Sequence, residues 1–203
     1  MQDHSIIRRR IQETGMTIQE AEDYFKKRIA ELKAMCSEGT PWVFLCGTAM
    51  IDYLSRLADS ENGNAKRFKD FVGRYMPEGY RTFKYQSGKE DLPTQLYHVL
   101  RCGIVHSFSL IPDSIAKKYG GRDRSILLSH KVCHLSSHAI DKASDACALN
   151  ANNFICDIEF SMNELFAKAN SDPQLAKNMT EWLVKHPPIA RQVQEPPLAP
   201  PCS

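Results

Sequence analysis

Apolar residues recur at three- and four-residue intervals over long stretches of the chain, and this spacing predicts a protein built mainly of helices. Ile18, Ala21, Phe25, Ile29, Leu32 and Met35 make one apolar face. Thr17 and Glu20 stand before it as a capping box, in which each side chain satisfies a free amide of the other's turn. The first helix therefore opens at Thr17 and reaches about residue 35. Thr40 suits a helix N-cap, and Pro41 suits the first helical position, where a missing N–H costs nothing. Residues 42–57 are nearly all apolar in their first half, as expected of a central, mostly buried helix. Asp52 and Arg56 sit four apart on it in the favourable pairing order. A more polar helix follows over 65–75, with Phe68, Phe71, Val72 and Tyr75 inward.

The pattern then breaks. Pro77, Gly79 and Gly88 make residues 76–92 an irregular connection. Pro93 opens a further helix carrying Leu96, Val99, Leu100, Ile104, Val105 and Phe108, limited by Pro112, and Gly120-Gly121 ends whatever short element lies between. Over 125–148 helical and alternating periods compete. Residues 125–128 and 146–149 read as short strands paired in a small β-hairpin around 141–145, before the last long helix. That helix covers about 150–169, with Phe154, Ile158, Met162, Leu165 and Phe166 on one side. Asp172-Pro173 starts a final helix lasting to Lys185. Six of the 11 prolines follow His186. The expected organisation is one helical domain over 1–186 and an extended or disordered proline-rich tail over 187–203 that takes no part in the core.

Composition narrows the class. A chain of 203 residues supports one well-buried core but not two comfortable ones. Its 42% hydrophobic and 25% charged residues are those of a soluble globular protein. No apolar run approaches the ~20 residues that span a bilayer. The N-terminal charges lack a following apolar stretch, which argues against a secretory signal. A cytoplasmic protein without membrane association is expected. The net charge of +2 announces no nucleic-acid binder, although Arg8, Arg9 and Arg10, and Arg122 with Arg124, are local clusters able to meet phosphates. Solvated surface is the default reading of such charges. The seven cysteines are odd in number and contain no C-x2-C pair, so they read as small buried hydrophobes.

The segment Arg101-Cys102-Gly103-Ile104-Val105-His106 carries the clearest chemistry. Histidine titrates near neutrality and can take and give a proton. Arginine stays charged and presents a planar fork of donors to phosphate oxygens. RNA cleavage by its own 2′-hydroxyl needs a base, a proton donor and positive charge on the phosphorane-like transition state. On a straight α-helix, five residues rotate about 500°, leaving Arg101 and His106 ~140° apart. Either the helix loosens at Gly103 or a second surface completes the site, as a two-fold dimer would. An Arg-x4-His pair is by itself common in a chain of this length.

The surrounding Leu96-Tyr-His-Val-Leu-Arg-Cys-Gly-Ile-Val-His-Ser-Phe108 resembles the signature of the HEPN superfamily, helical domains with an Arg-x4-6-His motif among aliphatics on a core helix. The likeness extends over 17–185 as a bundle, and its specific part is the motif. It implies a HEPN-like helical bundle that binds RNA. It further implies a metal-independent endoribonuclease needing no cofactor, with Arg101 on the scissile phosphate and His106 as general acid or base. A composite homodimer site is implied too, as is an antitoxin or other protein partner. The residue after the arginine is commonly polar in that superfamily; here it is Cys102, a weak hydrogen-bonder. A non-catalytic nucleotide- or RNA-binding or dimerisation module is therefore the alternative.

Other residues join as candidates. His98 lies three before Arg101 and Tyr97 four before it, so both are helical neighbours able to contact substrate with Cys102. Their bland readings are a half-exposed histidine and a core aromatic. Arg122 and Arg124 follow Gly120-Gly121 in what reads as a substrate-contacting turn or an ordinary loop. His130, His134 and His138 would align on a helix with Cys133 beside them, in the manner of zinc ligands, but no second ligand pair follows, and a metal centre is not expected.

Overall fold

A computed structural model of the chain describes residues 16–88, 90–104, 125–140 and 145–188. It is mainly helical, with one small sheet. Helix α1, Ile18–Ser37, opens on the capping box: Thr17 accepts from the Glu20 amide at 3.2 Å while Glu20 accepts from the Thr17 amide at 2.8 Å. Ala21, Phe25, Ile29 and Leu32 are buried along one face. Helix α2, Trp42–Ala58, begins one residue later than the proline rule places it, with Pro41 itself as the cap and the Thr40 hydroxyl accepting from the Trp42 amide at 3.3 Å. Helix α3, Asn64–Tyr75, turns Phe68, Phe71, Val72 and Tyr75 inward, as its spacing predicts.

Helix α2 is the centre of the bundle. It packs against α1, α3, and the two late helices α6, Ala151–Ser171, and α7, Pro173–Lys185. Gly47 sets how close α2 comes to α6. A Cβ there would meet Ile155, Ile158 and Phe154 at 3.0 Å, inside ordinary contact. Asn150 caps α6 through its side chain, and Asp172 caps α7 with Pro173 in the first turn. No helix among the described residues is long and apolar enough to cross a membrane.

Three regions differ from expectation. The connection after α3 contains a short helix α4, Gly79–Thr82, which buries Tyr80 completely. In the region 125–150, β1, Ile126–Ser129, and β3, Asp145–Asn150, are strands as expected, but they pair parallel, Ile126 opposite Cys147. The antiparallel partner of β3 is a strand the alternation did not mark, β2, Ser136–Ala139, giving the order β1-β3-β2. The cause lies in β3: Ala146, Cys147, Ala148 and Leu149 are all fully buried. A short run buried on both faces belongs at the centre of a sheet, with a neighbour on each edge.

The helix through Arg101 is also not as predicted. Asp91 caps a single α turn, α5, Leu92–Gln95, and Leu96–Ile104 then winds as a π-helix. Hydrogen bonds in a π-helix link residues five apart, so its turns are wider than α turns. The angle of ~140° assumed for α geometry therefore does not describe this segment. The expected helix limit at Pro112 and the Gly120-Gly121 break fall outside the described residues.

At the other end, the first residues of the proline-rich tail are packed. Pro188 is buried, and Pro187 and Pro188 line a groove with Tyr24, Phe25, Met50 and Tyr53. The Tyr53 hydroxyl donates to the His186 carbonyl at 2.6 Å, fixing the exit of α7 against α2. The rest of the tail lies outside the described residues.

Candidate functional site

Arg101 projects from the π-helix toward α2, where Asp52 receives it. Its Nε lies 3.5 Å from Asp52 Oδ1, and the side chains retain only 14% and 20% of their exposure. Burial works against the guanidinium charge. The Asp52 carboxylate and its hydrogen bond, with Tyr97 and Cys102 nearby, overcome this and raise Arg101 above its ordinary value. The site is thus an arginine of fixed charge, held by a partner 49 residues away in sequence.

Tyr97 and Cys102 lie beside it. Arg101 stands over the Tyr97 ring, 5.8 Å from its centroid. Tyr97 also packs edge-on against Phe68, so it serves the core and the site at once. The hydroxyl of Tyr97 is raised by burial, then by the nearby Cys102 sulfur. These two residues are five apart, the spacing that π winding brings face to face. His98 packs against the Tyr97 ring at 5.3 Å and is half-buried. His106, Arg122 and Arg124 lie outside the described residues.

The four-residue spacing of Asp52 and Arg56 predicts their pairing but not their place beside Arg101. Asp52 is flanked by two arginines: Arg101 on Oδ1, and Arg56 with its Nε 3.9 Å from Oδ2. An acid and a base side by side on an otherwise apolar helix was the available signal.

The histidine series takes a different form from the aligned helix its spacing suggested. Residues 130–138 are turn and strand, which removes the helical alignment. His130 packs its ring against Phe44, and His138 bonds to the Ser136 hydroxyl on β2. His134 alone enters a buried polar cluster. Its Nδ1 accepts from the Asn150 amide at 3.0 Å, so the ring proton sits on Nε2, 2.8 Å from Asp157 Oδ2. The Tyr80 hydroxyl donates to the same Asp157 oxygen at 3.0 Å. Burial, then Asp157, pushes Tyr80 well above its usual value, so it stays a donor. Both ring nitrogens of His134 are engaged, and the cluster ties the 130–135 turn to α4 and α6. The adjacent Leu135 adopts a left-handed backbone, φ 53°, to make this turn. Among the described residues, no three metal-ligating side chains come together.

Comparison of the chain with protein-family models, curated proteins and solved structures finds no match, so the functional reading rests on the residues just described.

Proposed function

We propose that the protein is a HEPN-like RNA-binding protein that acts as a metal-independent endoribonuclease, with Arg101 and His106 forming a composite site between two copies of the chain. The observation that carries this reading is Arg101 itself. It is an arginine kept charged by Asp52, set beside an aromatic ring, on a helix whose wider winding departs from α geometry where the motif lies. π-Helical turns occur frequently at functional sites.

In the proposed reaction the 2′-hydroxyl oxygen attacks the adjacent phosphorus while His106 takes its proton. The bond from phosphorus to the 5′-oxygen breaks, and that oxygen receives a proton, leaving a 2′,3′-cyclic phosphate and a 5′-hydroxyl. Arg101 supports the charge that gathers on the non-bridging oxygens. No step calls for a metal.

The test is cleavage of structured and unstructured RNA by the purified full chain in the presence of chelator. Arg101→Ala and His106→Ala are expected to abolish cleavage while the oligomer persists. Undiminished cleavage by the double variant overturns the assignment.

A second reading, a non-catalytic nucleotide- or RNA-binding or dimerisation module, draws on two features. The Arg101 charge is answered within the fold by Asp52, and the position after it is a thiol beside Tyr97. Absence of cleavage across varied RNAs, with binding or assembly that still depends on Arg101, would favour it.

A further inference from the structure

We propose that Arg56, held by Arg67 through Asn64, forms with Arg101 a phosphate-binding subsite that takes a second phosphate of a bound nucleic-acid strand. The identity of the ligand rests on the RNA reading above; the anion chemistry rests on the geometry around Arg56.

The arrangement is rich in donors and poor in acceptors. Asp52 is shared, with an arginine Nε facing each oxygen. Arg56 Nη2 reaches Asn64 Oδ1 at 3.4 Å, and the same oxygen accepts from Arg67 Nη2. Both contacts of Arg56 are long: 3.9 Å is an ion pair without a hydrogen bond, and 3.4 Å is a weak bond. A guanidinium has five N–H donors, so most of the capacity of Arg56 is unused by these partners. The nearby Asp59 does not answer it, since its oxygens accept from the Glu61 and Asn62 amides and from the Asn62 side chain.

Among the described residues, two buried donors next to Arg56 have no partner. Arg67 is only 5% exposed, and its Nε is unsatisfied although its Nη1 donates to the Asn62 carbonyl at 3.0 Å. Trp182, whose ring Arg56 overlies at 5.7 Å, has its indole N–H buried without an acceptor. Burial, then the charge of Arg56, lowers the Arg67 guanidinium, while Asp52 and Asp59 act the other way. These atoms are enclosed by the fold, so the group left facing solvent to meet an oxyanion is Arg56 itself.

The parts have distinct roles. Arg56 keeps 29% of its side-chain exposure and can touch a ligand from solvent. Arg67 is enclosed and acts as a positioning residue, orienting Arg56 through Asn64. Asp52 touches both Arg56 and Arg101, so the two guanidiniums flank one carboxylate.

The experiment uses the full chain and two probes: inorganic pyrophosphate, and a 2′-O-methyl oligoribonucleotide, which cannot undergo 2′-hydroxyl attack. Binding is followed by tryptophan fluorescence and by anisotropy over a range of salt. Arg56→Gln is expected to weaken both probes about fivefold or more, and to lower the salt slope of oligonucleotide binding by about one. Arg56→Lys, which keeps the charge, restores part of the affinity, and Lys27→Gln on the exposed face of α1 serves as the charge control. Wild-type affinity in Arg56→Gln for both probes overturns the subsite. Oligonucleotide binding lost in Arg101→Gln but intact in Arg56→Gln overturns the subsite and spares the RNA reading. Pyrophosphate binding that depends on Arg56, without oligonucleotide binding, supports the anion site and overturns the RNA reading.

Discussion

Asp52 governs more of the site than any other single side chain described here. It lies on the central helix, and the π-helix is oriented against it through Arg101. Replacing it by Asn keeps the shape and a hydrogen-bond acceptor but removes the charge. Asp52→Asn is expected to lower the turnover of any RNA cleavage tenfold or more with little change in KM, because a misaimed arginine costs rate before it costs binding. Stability should fall by about 1 kcal/mol, the scale of one charge-assisted bond at a partly exposed place. Steady-state kinetics with urea unfolding separates the two effects, and unaltered turnover would remove Asp52 from the mechanism. Tyr80 is the second residue of consequence. Its hydroxyl is fully buried and bonded to Asp157 and His134. Tyr80→Phe leaves the ring in place and strips one donor from a partly buried carboxylate, so chemical denaturation should show a loss of about 1–2 kcal/mol. A neutral result would mean that water replaces the hydroxyl.

Among the elements, the contact of α2 with α6 is the least forgiving. Gly47 faces three side-chain termini at 3.0 Å, and a branched residue cannot be fitted without moving one helix from the other. Gly47→Val should destabilise by about 2–3 kcal/mol, read as a lowered urea midpoint. An unchanged midpoint would show that α2 and α6 separate freely. The helices themselves were legible in the sequence because their signals are local: the Thr17–Glu20 box, the Phe68–Tyr75 stripe and the Asp172-Pro173 start need only neighbours a turn away. The sheet was half legible. Buried β-strand residues announce β1 and β3, but pairing direction depends on which strand comes third, and β2, Ser-Ser-His-Ala, has no apolar alternation to reveal it. The candidate site was legible at Arg101 and its π-helix neighbours. Its partner was not, since the Asp52–Arg101 pair is a long-range contact that no periodicity encodes. The π winding was equally hidden, as an apolar run such as Leu96 to Ile104 fits α and π turns alike.

The molecule as a whole should be sensitive to alkali. Burial, then Asp145, pushes the Cys147 thiol up to about 12. Tyr80 and Tyr53 are raised in the same direction, chiefly by burial. In the unfolded chain these groups release their protons near the ordinary cysteine and tyrosine values, about 9 and 10. The folded chain then binds more protons than the unfolded one, so stability falls as pH rises. Their contribution is fully present below about pH 9 and is lost as pH climbs toward the folded values. Urea midpoints measured across this window should decline, and less steeply for Cys147→Ala; a flat profile would contradict the buried state of these groups. Strand β3 ends at Asn150, and the same residue caps α6, with its amide on His134 and its side-chain oxygen on the amides of Asn152 and Asn153. No spacer lies between sheet and bundle. Opening the sheet therefore frays the longest helix at its first turn, and the amides of β3 and of that turn should exchange with deuterium as one unit, sharing a single opening free energy.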